Sequence, residues 1–177
     1  MLTKPAETGV DRFVEEQMFE EDLRAVMLML RPHRNERLAG WQVAVEFRNG
    51  SWLNDKNRDR TLAFLSERSI PFVMVDEPQG FKSSVPPEVA VTSPDLAIVR
   101  FHGRNAETWE KKGITPAERF RYLYSRDELS EWVPRVKEAA SQAKEVHLMF
   151  NNCYANYGTT NAREIAALLT DLASDRD

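Results

Sequence analysis

The segment LAIVRFHGR, residues 96–104, carries the pattern that decides the fold. Successive side chains of a β-strand point to opposite sides of the sheet. Here one side is wholly apolar, whereas the other ends in charged and polar groups. That contrast predicts a strand whose apolar side packs against helices and whose other side opens into a polar cavity. The first side consists of Ala97, Val99 and Phe101 and the second of Ile98, Arg100 and His102.

Three more strands are expected along the chain. Residues 41–47 alternate in the same way, with Glu46 among the polar positions, whereas residues 72–76 and 146–151 are short apolar runs,. Together with the segment 96–102, which is the third in chain order, this makes four strands. Prolines and a glycine between residues 77 and 95 replace the usual crossover helix by a long loop,.

Apolar residues at helical spacing predict the helices between these strands. One helix is expected from about residue 55 to about residue 69,. Ser125 and Glu128 form a capping box ahead of the clearest helix of the chain, which Pro134 is expected to kink,. Asn161 is predicted to open the last helix,.

Strands that alternate with helices predict an α/β fold with a parallel sheet. In an open sheet both faces meet helices and are apolar, whereas a closed barrel builds its active site at the C-terminal strand ends. The polar sides of residues 41–47 and 96–102 favour part of a TIM (β/α)8 barrel with four parallel strands. We divide the chain into an N-terminal tail with an amphipathic helix, residues 1–40, and a barrel portion, residues 41–177.

Composition and charge limit the function. The 177 residues carry 24 basic and 28 acidic side chains, and the net charge of −4 gives no overall electrostatic footprint for nucleic acid or an anionic membrane,. No apolar stretch approaches the roughly 20 residues that span a bilayer, and no secretory signal follows Met1,. The single cysteine, Cys153, cannot form an internal disulfide,. We therefore expect a cytoplasmic protein without a membrane segment.

Five blocks of residues resemble, in order and spacing, the YecE-like family, also called domain of unknown function family 72. The resemblance covers residues 41–169 and implies the last four strands of a complete TIM barrel, hence a C-terminal half. It implies no reaction, because the activity of the family is not established. The blocks are 44–48 with 51–52, 76, 99–104, 124–129, and 150–152 with 161–162.

Polar side chains gather where the predicted strands end, which is where barrels build active sites. We predict His102, Glu46 and Asp76 as catalytic groups, because an imidazole titrates near neutrality and a carboxylate can orient it. Guanidinium groups suit phosphate or carboxylate, so a small anionic or phosphorylated ligand with acid/base or hydrolase chemistry is expected; the cofactor is unknown. The predicted ligand-binding residues are Arg48, Arg100, Arg104, Asn151, Asn152 and Trp52.

Three alternatives remain open for these residues. They could form a structural ion-pair network at the barrel mouth. A divalent metal on Glu46, Asp76 and His102 is disfavoured by repulsion from the arginines, and we predict no metal ligands. The arginines and loop aromatics, among them Trp109 and Tyr154, would also suit nucleic acid as a binding or processing module,.

A half-barrel raises the question of a partner. It leaves two open sheet edges and an uncovered inner face, and such surface rarely stays single. We expect a split or truncated product that pairs with a separate N-terminal half-barrel or with a second copy of itself. Without a partner it would be an inactive barrel fragment.

Overall fold

The computed structural model describes residues 43–174, with their side chains as far as residue 170. The amphipathic helix predicted before Pro32 and the domain boundary at residue 40 lie outside the described residues. None of the described helices is long and apolar enough to cross a membrane.

A parallel sheet of three strands forms the centre of the described residues, in the order β1-β2-β3. The register pairs Asp76 with Phe101 and Phe101 with Phe150, so the C-terminal ends of the strands meet at one edge. The α/β fold with a parallel sheet is therefore confirmed. The strands are β1, Val73–Asp76, β2, Leu96–Phe101, and β3, Glu145–Phe150.

The prediction of four strands is wrong for residues 43–47. This segment makes only an isolated parallel bridge, between Val45 and Phe72. Val45 donates its N–H to the Pro71 carbonyl at 2.9 Å and accepts from Val73 at 2.9 Å. Within residues 43–47 no ladder extends beyond these two bonds, and the chain bends at Asn49.

A 3-10 helix over Gly50–Leu53 makes this turn. The Asn49 side chain accepts a hydrogen bond from the Ser51 N–H at 3.0 Å and so caps the helix,. The turn buries Trp52, which stacks on Phe47 with ring centroids 5.1 Å apart. Burial of this aromatic pair holds the segment beside β1 without a regular ladder.

Five α-helices lie in the described part of the chain. The capping box of Ser125 and Glu128 is confirmed, with hydrogen bonds in both directions at 2.8 and 3.3 Å. The helix it opens does not merely kink at Pro134 but breaks at Glu131. The helices are α1, Arg58–Ser66, α2, Pro116–Arg119, α3, Arg126–Ser130, α4, Trp132–Gln142, and α5, Tyr157–Ser174.

Two helix starts differ from the sequence-based expectation. The last helix begins at Tyr157, and Asn161 lies inside it, fully buried. The short α2 was not predicted, although Thr115 and Glu118 form a second capping box in front of it. Buried contacts of Asn161, described below, explain the first difference.

The core lies between the apolar side of β2 and α4. Phe101 is fully buried, stacks on Phe150 at 4.5 Å and meets the edge of Trp132 at 5.4 Å. Each such buried ring contributes roughly 1.5–3 kcal/mol of transfer free energy. The opposite side of β3 is open, with Met149 50% exposed. The helix-covered side of β2 thus matches the side that its alternation predicts to be apolar.

Candidate functional site

Polar side chains from four neighbouring segments meet at the C-terminal edge of the sheet. They are set there because the segments run parallel and each changes from apolar to polar at its end. We call this group the Arg48 cluster. It consists of Glu46, Arg48, Glu77, Arg100, His102 and Asn151.

Glu46 is the hub of the cluster. Nη1 of Arg100 donates to its Oε2 at 2.7 Å. Nη1 of Arg48 and Nε2 of His102 each approach its Oε1 at 3.1 Å. Burial by itself raises the pKa of Glu46, but the hydrogen bonds from His102 and Arg100 outweigh it and lower the pKa to about 2,. Glu46 is therefore a carboxylate at any physiological pH.

Asn151 sets the tautomer of His102. Its Oδ1 accepts from Nη2 of Arg100 at 3.3 Å, which turns its Nδ2 amide toward Nδ1 of His102 at 3.2 Å. Nδ1 is then the acceptor, and the ring proton lies on Nε2, facing Glu46. Burial lowers the pKa of His102, against the hydrogen bond to Glu46 that raises it. The ring is 3% exposed and neutral at pH 7.

Arg48 presents one edge of its guanidinium to the cluster and one edge away from it. All its polar contacts use Nη1, and the guanidinium carbon lies 4.9 Å from the centre of the Trp109 ring. Its Nε and Nη2 make no hydrogen bond to another residue within 43–174, and the side chain is 31% exposed. Arg48 therefore keeps a free donor edge that is already oriented.

Glu77 belongs to the cluster although the sequence analysis missed it. Its Oε2 lies 3.1 Å from Nη1 of Arg48, and its Oε1 accepts the Val85 N–H at 2.8 Å. The side chain is fully buried. Burial is the main reason that its pKa is raised to about 7, against the effects of Val85 and Arg48,. The available signal was its position directly after β1, where a polar residue faces the same edge as the other strand ends.

Asp76 lies in a second group of side chains, which we call the Asp76 cluster: Asp76, Arg104, Tyr124 and Trp132. Oδ1 accepts from the Tyr124 hydroxyl at 2.7 Å and from Nε of Arg104 at 2.9 Å. Oδ2 accepts from Nε1 of Trp132 at 2.6 Å and from Nη2 of Arg104 at 2.8 Å. Each oxygen is thus doubly satisfied. The structure brings Asp76 and His102 together only through their backbones, where the His102 N–H donates to the Asp76 carbonyl at 2.8 Å.

Asn152 forms hydrogen bonds with the backbone and with Asn161, and it does not contact the Arg48 cluster. Its Nδ2 donates to the Tyr122 carbonyl at 3.0 Å and to Oδ1 of Asn161 at 2.9 Å. Asn161 in turn bonds both the N–H and the carbonyl of Tyr124. These two amides fix the loop that carries the Tyr124 hydroxyl into the Asp76 cluster. Trp52 is buried against Phe47. Asn152 and Trp52 were both predicted to bind a ligand, and neither contacts the Arg48 cluster.

The sequence of the chain also matches a known protein family. The model of the family described as "Protein of unknown function DUF72" matches residues 11–176. The chain belongs to this family. The resemblance in the five blocks of sequence is thereby confirmed.

Individual relatives agree with this assignment. UPF0759 protein YunF of Bacillus subtilis (strain 168) is 35% identical over 129 residues, which are 71% of this DUF72 chain and 46% of that protein. A crystal structure of a DUF72 family protein from Enterococcus faecalis V583 has a TM-score of 0.72 at 31% identity, covering 85% of this chain and 53% of that chain. One from Thermotoga maritima MSB8 has a TM-score of 0.65 at 31% identity, covering 92% and 67%. The chain spans about half the length of the first two relatives.

Two further site predictions can be compared with this DUF72 structure. Within residues 43–174, no group of three or more histidine, cysteine, aspartate and glutamate side chains is placed to hold a metal ion. Trp109, which was considered for base stacking, is buried, as are Trp52 and Tyr124. Tyr154 and Tyr157 lie nearer the surface, with ring centroids 5.3 Å apart and Arg121 over the Tyr154 ring at 4.4 Å.

Proposed function

We propose that the chain binds a small anionic or phosphorylated ligand at the C-terminal ends of its strands. The observation that carries the proposal is the free donor edge of Arg48, formed by Nε and Nη2. Contacts to Glu46 and Glu77 anchor the other edge, and Trp109 supports the flat face. An oriented guanidinium fork binds an oxyanion through two parallel hydrogen bonds and loses little side-chain entropy in doing so.

Arg100 adds a second positive charge to the same place. Its Nη1 and Nη2 are engaged by Glu46 and Asn151, and its side chain is 35% exposed. Two arginines against one ionised Glu46 leave an excess of positive charge whenever Glu77 is protonated. That excess favours an anion over a neutral or cationic ligand.

Acid/base chemistry on the bound ligand would involve the pair of His102 and Glu46. Both ring nitrogens of His102 have protein partners, so we assign this pair first to the positioning of Arg48 and Arg100. Proton transfer by His102 requires that the ligand replace Glu46 at Nε2. We assign Asp76 and Arg104 to structure, because the oxygens of Asp76 are filled by Tyr124, Trp132 and Arg104.

Thermal melting with a panel of anions tests the proposal. Sulfate, phosphate and phosphorylated sugars are expected to raise the melting temperature, since a ligand at 100 times its Kd adds about 2.7 kcal/mol. The shift should disappear in Arg48→Ala. Arg68→Ala is the matched control, because Arg68 lies on Phe64 and pairs with Glu67 away from the cluster. The proposal fails if no anion shifts the melting curve, or if Arg68→Ala loses the shift as Arg48→Ala does.

A second candidate is a nucleic-acid binding or processing module. The observation in its favour is the pair of Tyr154 and Tyr157 with Arg121 stacked on it, because bases stack on such platforms. A labelled single-stranded oligonucleotide retained by the chain and released by Tyr154→Ala would support this candidate. Retention unaffected by Tyr154→Ala and Arg121→Ala would count against it.

We also propose that the sheet is part of a barrel completed by an N-terminal half or by a second copy of the chain, and that the protein acts in the cytoplasm. The support for the barrel is strand β3. Its outer edge has no partner among the described residues, and its open side exposes Met149. Sedimentation analysis tests this: a cooperatively melting monomer that binds no hydrophobic dye contradicts it. A dimer, or rescue by a co-expressed N-terminal half, supports it.

A further inference from the structure

Nη1 of Arg48 has three close neighbours, of which two are acceptors. It carries two hydrogens, and it lies 3.1 Å from Oε1 of Glu46, 3.1 Å from Oε2 of Glu77 and 2.9 Å from Nε2 of His102. Because Asn151 places the ring proton on Nε2, the shortest of these contacts joins two donors. Arg48 is therefore attracted by two carboxylates and repelled by the Nε2–H of one imidazole. Its Nε and Nη2 have no partner among the described residues.

Glu77 cannot move away from Arg48 when an anion binds the free edge formed by Nε and Nη2. Its carboxylate is fully buried and fixed by the Val85 N–H at 2.8 Å. Arg48 is its only cationic contact among the described residues. The charged or titratable groups around it are Arg48, the carboxylates of Glu46 and Asp76, the neutral His102, and Arg104, which is engaged by Asp76.

An anion at Arg48 thus competes with Glu77 for the same positive charge. When the anion shares this charge, an ionised Glu77 is an incompletely compensated buried carboxylate near the anion and near two other carboxylates, Glu46 and Asp76. An unpaired buried charge is costly, and a carboxyl group avoids the cost by taking up a proton. The cleft that Glu77 lines together with Gln79, Arg104 and Arg135 brings solvent near this buried side chain.

We propose that Glu77 couples anion binding to proton uptake, so that the ligand enters the Arg48 cluster together with one proton. This inference rests on the proposed function and adds a regulator to the same site. Glu77 acts through Arg48 and is a positioning residue rather than a ligand contact. Since burial already raises its pKa to about 7, the coupling operates in the physiological range.

The coupling predicts how the affinity for the anion changes with pH. Below the folded-state pKa, Glu77 is protonated and Arg48 is available to the anion. Above it, Glu77 is ionised and repels an anion that shares the Arg48 charge, so affinity falls by as much as about tenfold for each pH unit. The titration of His102 does not produce this slope, because the pKa of His102 is lowered away from this range.

Calorimetry of the full chain with sulfate provides the test, since sulfate keeps its charge between about pH 6 and about pH 8.5. Titrations at constant ionic strength in two buffers of different ionisation enthalpy give the number of protons taken up. We expect uptake approaching one proton per sulfate near about pH 8, and affinity that decreases as pH rises. Glu77→Gln should bind sulfate with equal affinity across the range and without proton uptake. Glu145→Gln, an exposed carboxylate at the start of β3, should keep the slope.

Each outcome bears on the coupling. Sulfate binding in the unmodified chain without proton uptake and without a pH slope overturns it and leaves the proposed function intact. A slope that persists in Glu77→Gln assigns the proton to another group and also overturns it. If sulfate does not bind at any pH, the coupling is overturned, and the proposed function falls with it if no other anion of the panel shifts the melting curve. The two-buffer proton count needs no variant, so a count of zero overturns the coupling even if Glu77→Gln does not fold.

Discussion

Asp76 and Glu77 are consecutive residues at the end of β1, yet they belong to clusters of opposite character. Every oxygen of Asp76 is filled by short hydrogen bonds from Arg104, Tyr124 and Trp132. Glu77 shares a single guanidinium nitrogen with two other groups, and that guanidinium keeps a free edge. A saturated buried carboxylate stabilises one structure, whereas an unsaturated cluster retains the capacity to bind something else.

The pKa values also distinguish the two clusters. In the Asp76 cluster, burial raises the pKa of Tyr124, with further contributions from Asp76, and the contact with Asp76 raises that of Arg104. Both groups are therefore held in the protonation states they have at neutral pH. In the Arg48 cluster, the pKa of Glu46 is lowered to about 2 and that of Glu77 is raised to about 7. Two carboxyl groups whose pKa values are driven apart are a recognised arrangement for acid/base function.

The largest expected effect is in the saturated cluster. Asp76→Asn removes the charge and places an amide donor against Arg104, Tyr124 and Trp132, so it should destabilise the chain by about 3–5 kcal/mol, as does the breaking of other buried ion pairs. Urea denaturation measures the change. Glu131→Gln is the control, because it removes only the more exposed partner of Arg104 and should cost less than about 1 kcal/mol,. If both variants lose the same small amount, Asp76 is not the structural centre that its contacts indicate.

The next effect is the pH dependence of stability. Glu77 has a folded-state pKa of about 7, above its usual value of 4.5. Between these values the folded state binds more protons than the unfolded state, so stability falls as pH rises from about 4.5 to about 7, by roughly 1–3 kcal/mol. Glu46 has the opposite sign: its stabilisation is present above pH 4.5 and is lost as pH falls toward 2.

Denaturation midpoints recorded across this pH range separate the two groups. Glu77→Gln should remove the decrease between about pH 4.5 and about pH 7 and leave the acid limb unchanged. Glu46→Gln should weaken the acid limb. A decrease that remains in Glu77→Gln would show that a group other than Glu77 governs the pH dependence of stability in this range.

How far the sequence predicts this molecule depends on whether the signal is local. β2 was predicted to within one residue, because alternation of apolar and polar side chains is a property of the strand itself. The capping box of Ser125 and Glu128 was confirmed for the same reason. Residues 43–47 alternate equally well, but a strand also needs a ladder, and among these residues only Val45 makes a bridge, to Phe72.

Non-local contacts account for what was missed. Asn161 has the character of a helix cap, yet it lies inside α5 because the backbone of Tyr124, 37 residues away, satisfies its amide. Glu77 is the first residue of a proline-rich loop by sequence. Only the fold brings the Val85 N–H and Arg48 to its two oxygens. The predicted site residues of the Arg48 cluster converge, whereas Asp76, although it ends β1, is bound by Trp132 and Tyr124 from distant segments.

A smaller effect distinguishes the two arginines that the sequence analysis placed together. Arg48→Lys keeps the charge next to Glu46 and Glu77 but loses the planar fork, so sulfate affinity should fall about tenfold, or about 1.4 kcal/mol. Arg104→Lys should leave sulfate affinity unchanged, because the donors of Arg104 face Asp76 and Glu131. Calorimetric titration of the two variants measures the contrast. Equal losses would mean that both clusters contact the ligand.

The smallest expected effect concerns the open side of β3, which contrasts with its helix-covered side. Met149 is 50% exposed, whereas Leu148, its neighbour in the strand, points toward the helices and is half-buried. In the isolated chain, Met149→Lys should change stability by less than about 0.5 kcal/mol, since most exposed substitutions do. Leu148→Lys is the control and should cost several times more, because it forces a charge against the helix layer.

The same substitution becomes severe if another half-barrel or a second copy covers this side of the sheet. The ammonium group that Met149→Lys introduces would then face an apolar interior, and the assembly would dissociate although the isolated chain stays folded. Sedimentation of both forms over a range of concentrations, combined with urea denaturation, separates the cases. A dimer that Met149→Lys converts to folded monomer locates the partner on this side. An assembly indifferent to the change places the partner elsewhere, on the free edge of β3 alone, where backbone groups rather than side chains form the contact.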